Sequence, residues 1–140
     1  MVSITPNSGS GAAQTFSAVY SDPNGAADLG TVYVLFNTGV SAAHACYVSY
    51  HPSMNLLYLE NDGGTGLSAG IALGSAGSVS NSQCTLSGAG SSYSVSGHTA
   101  TLNVALSFTT TLPTNMYLYA SEANTTASNS GWVKAGTWAP

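Results

Sequence analysis

Residues 100–108, with the sequence ATLNVALSF, carry the strongest periodic signal in the chain. Small or polar side chains alternate there with four large apolar ones, at Leu102, Val104, Leu106 and Phe108. A period of two over this length predicts a β-strand with one face against a core and the other against water. Such one-sided strands are typical of antiparallel sheets.

Other strands are predicted on both sides of this one. Residues 31–36 are apolar on both faces, which favours a central strand, and residues 45–50 and 56–59 flank a short turn and predict a hairpin. Further strands are predicted at residues 14–20, 116–120 and 131–134, with weaker signals at 2–5, 68–73, 82–86 and 93–96.

Glycine-rich joints separate nearly all of these segments, at residues 9–11, 63–66, 74–77 and 88–90. No stretch shows a helical repeat longer than two turns. The pattern therefore predicts an all-β antiparallel sandwich of the immunoglobulin-like type, with about eight to ten strands, forming one domain over residues 1–140. We assign the length beyond an immunoglobulin-like unit of roughly 100 residues to the hairpin at 46–59 and the glycine-rich segment after it.

Charged residues make up only 4% of the 140-residue chain, and Lys134 is its sole Lys or Arg. One basic side chain cannot neutralise a phosphate backbone, so nucleic-acid binding is not expected. Membrane insertion is not expected either, because no apolar run reaches spanning length and no basic patch exists for anionic lipid. Few charges with abundant Ser, Thr, Asn and Gly are common in bacterial extracellular proteins. We expect an extracellular domain, monomeric when isolated, excised from a longer secreted or cell-surface protein.

The two cysteines also favour an extracellular location. Cys46 and Cys84 lie in strand-like stretches, and an even number of cysteines in an exported domain favours a disulfide between them. The alternative is two buried free thiols. A zinc site is disfavoured, because His44 and Cys46 share a strand face but no second pair has metal-ligand spacing.

Catalytic motifs are weak in this chain. Residues 66–70, GLSAG, match the nucleophile-elbow pattern, but Ser68 lacks the following helix that such an elbow requires. A glycosidase pair is also disfavoured, because a sandwich without long insertions offers little cleft between two carboxylates. We predict no catalytic residue, although five acids lie in or beside predicted turns: Asp22, Asp28, Glu60, Asp62 and Glu122.

Three of these acids are candidates for a structural calcium ion, the only cofactor that the sequence suggests. Asp22 and Asp28 lie in a connection rich in oxygen donors, and Asp62 lies in a second one. Calcium prefers carboxylate, amide and backbone oxygens on flexible loops. The alternative is that Asp and Asn stabilise these turns without any metal, since neither segment has EF-hand spacing.

Tyrosines provide the candidate ligand-binding residues. By strand alternation Tyr47, Tyr58, Tyr117 and Tyr119 share the outward parity of their strands, whereas Trp132 is expected in the core. Exposed rings can stack on the apolar faces of sugars, and with so few charges the expected partner is a neutral glycan or a protein surface. The alternative is that these tyrosines only fill the rim of the sandwich, with their hydroxyls in water.

Two stretches resemble a known group of modules. Residues 15–25, TFSAVYSDPNG, resemble the second strand and following turn of bacterial extracellular immunoglobulin-like repeats, which include PKD-like, cadherin-like and fibronectin-III-like modules. Residues 117–124 and 130–132 are similar to their penultimate strand, loop and last strand. The resemblance implies a spacer, an adhesion unit or an accessory binding domain, and places Asp22 at the turn acid that calcium-binding relatives use. We expect a non-catalytic structural or binding module; the alternative is a carbohydrate-binding module accessory to a polysaccharide-degrading enzyme.

Overall fold

Eleven β-strands account for most of the chain in the computed structural model, which describes residues 3–22, 25–26, 29–68, 70–109, 113–122 and 131–140. No α-helix occurs among those residues. The strands are β1 (Ser3–Thr5), β2 (Ala13–Ser21), β3 (Leu29–Asn37), β4 (Cys46–His51), β5 (Leu56–Leu59), β6 (Ile71–Ala72), β7 (Ser78–Ser80), β8 (Cys84–Ser96), β9 (Thr99–Phe108), β10 (Thr114–Glu122) and β11 (Val133–Trp138).

The strands form two antiparallel sheets that pack face to face. One sheet has the order β1-β2-β9-β8-β7 and the other has the order β11-β10-β3-β4-β5-β6. Without β6 and β7, this order is that of a variable-type immunoglobulin sandwich, in which two strands of a hairpin extend the second sheet. The predicted fold class is confirmed, and the extra length lies where it was expected, in the β4–β5 hairpin and the segment that follows it.

The core lies between the sheets and is lined by the inward-facing residues of both. Phe16 on β2 is fully buried and packs against Phe36 of the opposite sheet, with ring centroids 4.9 Å apart. Trp138 packs edge-on against Phe16 at 5.0 Å, and its indole N–H donates to the Gly11 carbonyl at 2.9 Å. The prediction that Trp132 is the core indole is wrong, because Trp138 takes that place and Trp132 lies half-buried on the outside.

The weak strands predicted at 82–86 and 93–96 are two parts of one strand, β8. Its register with β9 shifts between Ser87 and Ser92, so that residues 88–91 bulge out opposite Val104. At the bulge, the Ser91 hydroxyl replaces a backbone hydrogen-bond partner of β9. It accepts from the Ala105 N–H at 3.1 Å and donates to the Ser87 carbonyl at 2.6 Å. The glycine-rich stretch therefore marks a bulge rather than a joint between two strands.

The β11 edge of the six-stranded sheet is covered. Residues 7–11 run beside β11, where the Thr137 N–H donates to Asn7 and the Ala139 N–H donates to Gly9, at 3.0 and 2.9 Å. On the other side, the turn between β6 and β7 bonds to Gly88, whose N–H and carbonyl are both used. Covered edges of this kind prevent strand pairing with other chains.

A disulfide between Cys46 on β4 and Cys84 on β8 joins the two sheets, with the two Cα atoms 5.6 Å apart. The predicted pairing is confirmed, and the alternative of free thiols is wrong. Asn81 ties the same end of the sandwich together, because its side-chain amide donates to the Ala45 carbonyl at 2.8 Å and to the Glu60 carbonyl at 2.9 Å.

Candidate functional site

The outer face of the six-stranded sheet carries six half-buried aromatic side chains. They alternate along β3, β4, β5 and β10 with inward-facing core residues, and the sixth precedes β11. We call this surface the aromatic face, and its rings are Tyr33, Tyr47, Tyr58, Tyr117, Tyr119 and Trp132.

The register places several of these residues in one line across the strands. Tyr119 pairs with Tyr33, Tyr33 pairs with Ser49, and Ser49 pairs with Tyr58. With neighbouring strands about 4.8 Å apart, this line spans about 14 Å. The Trp132 ring, 5.0 Å from the Tyr119 ring, extends it toward β11. We call this line the aromatic row; in order across the sheet, it consists of Trp132, Tyr119, Tyr33, Ser49 and Tyr58.

Four of the rings contact one another and form a cluster. Tyr33 lies at its centre, 5.8 Å from Tyr47, 5.4 Å from Tyr119 and 6.1 Å from Trp132, measured between ring centroids. Trp132 also contacts Tyr47 at 5.6 Å. The ring planes are tilted or perpendicular to each other, an arrangement that aromatic side chains prefer. We call these residues the four-ring cluster.

Burial keeps the phenol groups of the cluster uncharged. It raises the pKa of Tyr47 to about 12, and the pKa of Tyr33 is also raised, chiefly by burial. The Glu60 carboxylate adds to both shifts. The two hydroxyls therefore stay protonated well beyond neutral pH and can both donate and accept hydrogen bonds.

Two charged residues lie at opposite ends of the face. Lys134 is exposed and pairs with Tyr117 in the register of β11 with β10. Glu60 lies beside Tyr47, whose carbonyl accepts from the Glu60 N–H at 2.9 Å. Burial raises the pKa of the Glu60 carboxyl, and the Gly66 N–H partly opposes this shift. Between these ends the floor is apolar, because Leu35 is 1% exposed.

The four tyrosines selected from the sequence all lie on the aromatic face, but the structure does not bring all of them together. Tyr47 and Tyr119 belong to the four-ring cluster. Tyr58 instead contacts His51 at 5.0 Å, and the Tyr117 hydroxyl accepts from the Asn115 amide at 3.2 Å. Their role in binding stays a prediction.

Two members of the four-ring cluster were not selected from the sequence. Tyr33 is hard to recognise because its strand is apolar on both faces, although the inward-facing Val32 and Val34 on either side of it place its side chain outside. The expectation that Trp132 is in the core rests on sandwich folds commonly burying one indole. A second indole at Trp138 was the signal that one of the two was free to lie outside.

The outer face of the five-stranded sheet has a different composition. Its outward-facing side chains are mostly hydroxyls, and among those that the structure describes none carries an aromatic ring. We call it the hydroxyl face, formed mainly by Ser3, Thr5, Thr15, Ser17, Ser78, Ser80, Thr85, Ser87, Ser92, Ser94, Thr101, Asn103 and Ser107.

Asp22 and Asp62, two of the three acids proposed for calcium, lie far apart. Asp22 is 2% exposed and follows β2 at the end where Ser21 pairs with Thr99, whereas Asp62 lies near Ser82 at the other end. Strand β9 separates these ends by about 30 Å at about 3.3 Å per residue. Asp28 lies outside the described residues. Within the part of the chain that the structure describes, no three His, Cys, Asp or Glu side chains group together.

The Asp62 carboxylate has another task. Its Oδ1 accepts from the N–H and from the hydroxyl of Ser82, both at 2.8 Å. These two donors lower the pKa of Asp62. This carboxylate therefore links the loop after β5 to the turn before β8.

Ser68 lies beside β5 and pairs with it. Its hydroxyl accepts from the Leu59 N–H at 3.0 Å, and its own N–H donates to the Leu59 carbonyl at 2.8 Å. In residues 70–109, the next described stretch, no α-helix follows. The side chain is used in strand pairing, which differs from the strand–turn–helix setting of a nucleophile elbow.

Comparison of the chain with protein-family models, with curated proteins and with solved structures finds no significant match. Across the described ranges, there is no helix with the length and apolar character needed to span a membrane.

Proposed function

We propose that this chain is a non-catalytic binding module of a larger extracellular protein, and that its aromatic face binds a neutral glycan. The four-ring cluster is the single observation that carries the proposal. It places Tyr33, Tyr47, Tyr119 and Trp132 in mutual contact on an outer surface, half-buried rather than enclosed in the core.

The chemistry of the face favours an uncharged, hydroxyl-rich ligand. Ring faces supply contact area for the apolar faces of sugars, and un-ionised phenols supply hydrogen bonds at their edges. Tyr and Trp lose little conformational entropy on binding. A polyanion is disfavoured, because Lys134 is the only Lys or Arg of the chain and Glu60 lies at the other end of the face.

An extracellular setting is supported by the disulfide, which persists in oxidising compartments. It is also supported by the two-sheet sandwich together with the resemblance of residues 15–25 to bacterial extracellular immunoglobulin-like repeats. Modules of that kind act as spacers, adhesion units or accessory binding domains, including those of polysaccharide-degrading enzymes.

A rigid spacer is the second candidate function. Residues 7–11 cover the β11 edge of the sandwich, and the turn between β6 and β7 bonds to Gly88 of β8. The Cys46–Cys84 bridge also holds the two sheets together. A module built to separate its neighbours needs this rigidity and needs no ligand, so the aromatic face distinguishes the two candidates.

Retention on insoluble neutral polysaccharides, combined with a glycan array at low and high salt, tests the proposal. We expect retention that salt does not abolish, because the contacts are uncharged. Trp132→Ala and Tyr47→Ala should each weaken binding at least tenfold, equivalent to about 1.4 kcal/mol. Val95→Ala is the control, because Val95 is 46% exposed and lies on β8 of the other sheet.

Three outcomes would contradict the proposal. No retention on any neutral glycan leaves the spacer as the function. Binding that moderate salt abolishes means that charge, not stacking, holds the ligand. Equal losses in Val95→Ala and Trp132→Ala mean that the ligand does not use the aromatic face.

A further inference from the structure

Ser49 interrupts the aromatic row. It lies between Tyr33 and Tyr58 across the sheet, and between Tyr47 and His51 along β4. Its side chain is only 2% exposed although it faces outward, and its hydroxyl has no hydrogen-bond partner. The one small residue of the row therefore holds a buried hydroxyl among rings.

A second polar atom without a partner lies on the same face of β4. The Nε2 atom of His51 is buried and makes no hydrogen bond. Ser49 and His51 are two positions apart on the same strand face, so their Cα atoms are about 7 Å apart. The Tyr58 ring stands edge-on against the His51 ring at 5.0 Å.

Such atoms are uncommon in native proteins, where the large majority of buried side-chain polar atoms have a partner. Leaving a donor or acceptor buried and unsatisfied costs free energy that an apolar residue of the same size would not cost. An alanine at position 49 would avoid the cost without changing the register. Two unsatisfied atoms on one strand face, beside half-buried rings, thus indicate that their partner is supplied from outside.

We propose that Ser49 Oγ and His51 Nε2 form a hydrogen-bonding subsite that receives a hydroxyl group of the neutral glycan on the aromatic face. This inference rests on the proposed function and adds to it a polar contact that selects among sugars. Stacking alone tolerates many sugars, whereas a site that hydrogen-bonds a hydroxyl rejects a ligand that lacks it.

Tyr58 lies next to both residues of the subsite. It pairs with Ser49 across the sheet, and its half-buried ring contacts the His51 ring. Burial lowers the pKa of His51, so the ring is neutral at neutral pH and its Nε2 can donate or accept, depending on the tautomer.

Ser49→Ala gives the decisive test, because binding and stability should move in opposite directions. The variant should melt a few degrees higher than the wild type, since a buried unsatisfied hydroxyl is removed. It should also bind about tenfold more weakly to the best of three probes, the linear hexasaccharides of β-1,4-linked glucose, mannose and xylose. His51→Leu should show a similar loss of affinity.

Ser17→Ala is the matched control. The Ser17 hydroxyl donates to the Asn103 Oδ1 on the hydroxyl face, so this variant should lose stability and keep full affinity. The subsite is wrong if Ser49→Ala binds like the wild type while Trp132→Ala does not, and the proposed function then stands. It is also wrong if Ser49→Ala melts lower than the wild type. A wild-type protein that binds none of the probes or polysaccharides rejects both proposals.

Discussion

The aromatic face and the hydroxyl face cover the same core from opposite sides, and the inward residues beneath them are alike. Phe16 and Leu102 lie under the hydroxyl face, and Phe36 and Leu118 lie under the aromatic face, all of them buried. The outward residues nevertheless differ, because the six aromatic rings lie on one face and hydroxyl side chains predominate on the other. The hydroxyl face shows that this sandwich folds with small polar side chains outside, so its fold does not require rings there.

The two faces also differ in how their polar groups are satisfied. On the hydroxyl face, Ser17 donates to Asn103, and the Asn103 amide donates to Ser92 at 2.8 Å, which connects three strands by their side chains. On the aromatic face, the hydroxyl of Ser49 has no partner. These three residues of the hydroxyl face therefore satisfy one another, whereas the aromatic face contains a buried hydroxyl without a partner.

Removal of the disulfide should have the largest effect, because it joins the sheets that carry the two faces. Cys46→Ala combined with Cys84→Ala should lower the free energy of unfolding by about 4 kcal/mol, given a closed loop of 38 residues. Urea unfolding measures this, with reduced wild-type protein as the control. A loss below about 1 kcal/mol would mean that the shared core alone holds the faces together.

A smaller loss of stability should distinguish substitutions on the aromatic face from those on the hydroxyl face. Tyr119→Ala should lower the free energy of unfolding by about 2 kcal/mol, because its ring loses contacts with Tyr33 and Trp132 as well as buried area. Thr101→Ala, on the outward side of β9, should change it by less than about 0.5 kcal/mol. Urea unfolding of both variants tests this, and equal losses would remove the distinction in packing between the faces.

The smallest expected effect is on the pH dependence of stability, through the hydrogen bonds between Asp62 and Ser82 that link the two sheets. The pKa of Asp62 is lowered from its ordinary value of 3.8 by its bonds to Ser82. Its contribution to stability is therefore present above about pH 4 and is lost as the pH falls through the lowered pKa. Asp62→Asn should flatten the fall of the melting temperature on acidification.

Glu60→Gln provides the opposite control for that measurement. Burial raises the pKa of Glu60 above its ordinary value of 4.5, so its ionisation opposes folding as the pH rises through this range. Glu60→Gln should remove the loss of stability that accompanies Glu60 ionisation. It should leave unchanged the fall of the melting temperature on acidification that is assigned to Asp62. If the melting temperature of Asp62→Asn falls as steeply on acidification as that of the wild type, the assigned role of Asp62 is contradicted.

The sequence predicts the strands well wherever one face is buried, because burial imposes a period of two. It therefore locates β9, the β4–β5 hairpin and the outward parity of Tyr47 and Tyr119. Prediction from the sequence fails where a contact between residues distant in the chain decides the local structure. The bulge in β8 needs the Ser91 hydroxyl to replace a backbone partner, and no local pattern announces this. The position of Trp132 depends on Trp138 occupying the core, and the rings on either side of Ser49 in the aromatic row belong to other strands.

The covering of the β11 edge by residues 7–11 also determines how the domain would respond to tension. Ser10 and Ala139 bridge in parallel, and residue 3 enters beside Val19, at the end of the sandwich opposite to Ala139. A force that pulls residues 3 and 139 apart would thus slide the two segments past each other. The bonds of Asn7, Gly9 and Gly11 to β11 would bear this shear together, instead of opening one after another as in a zipper.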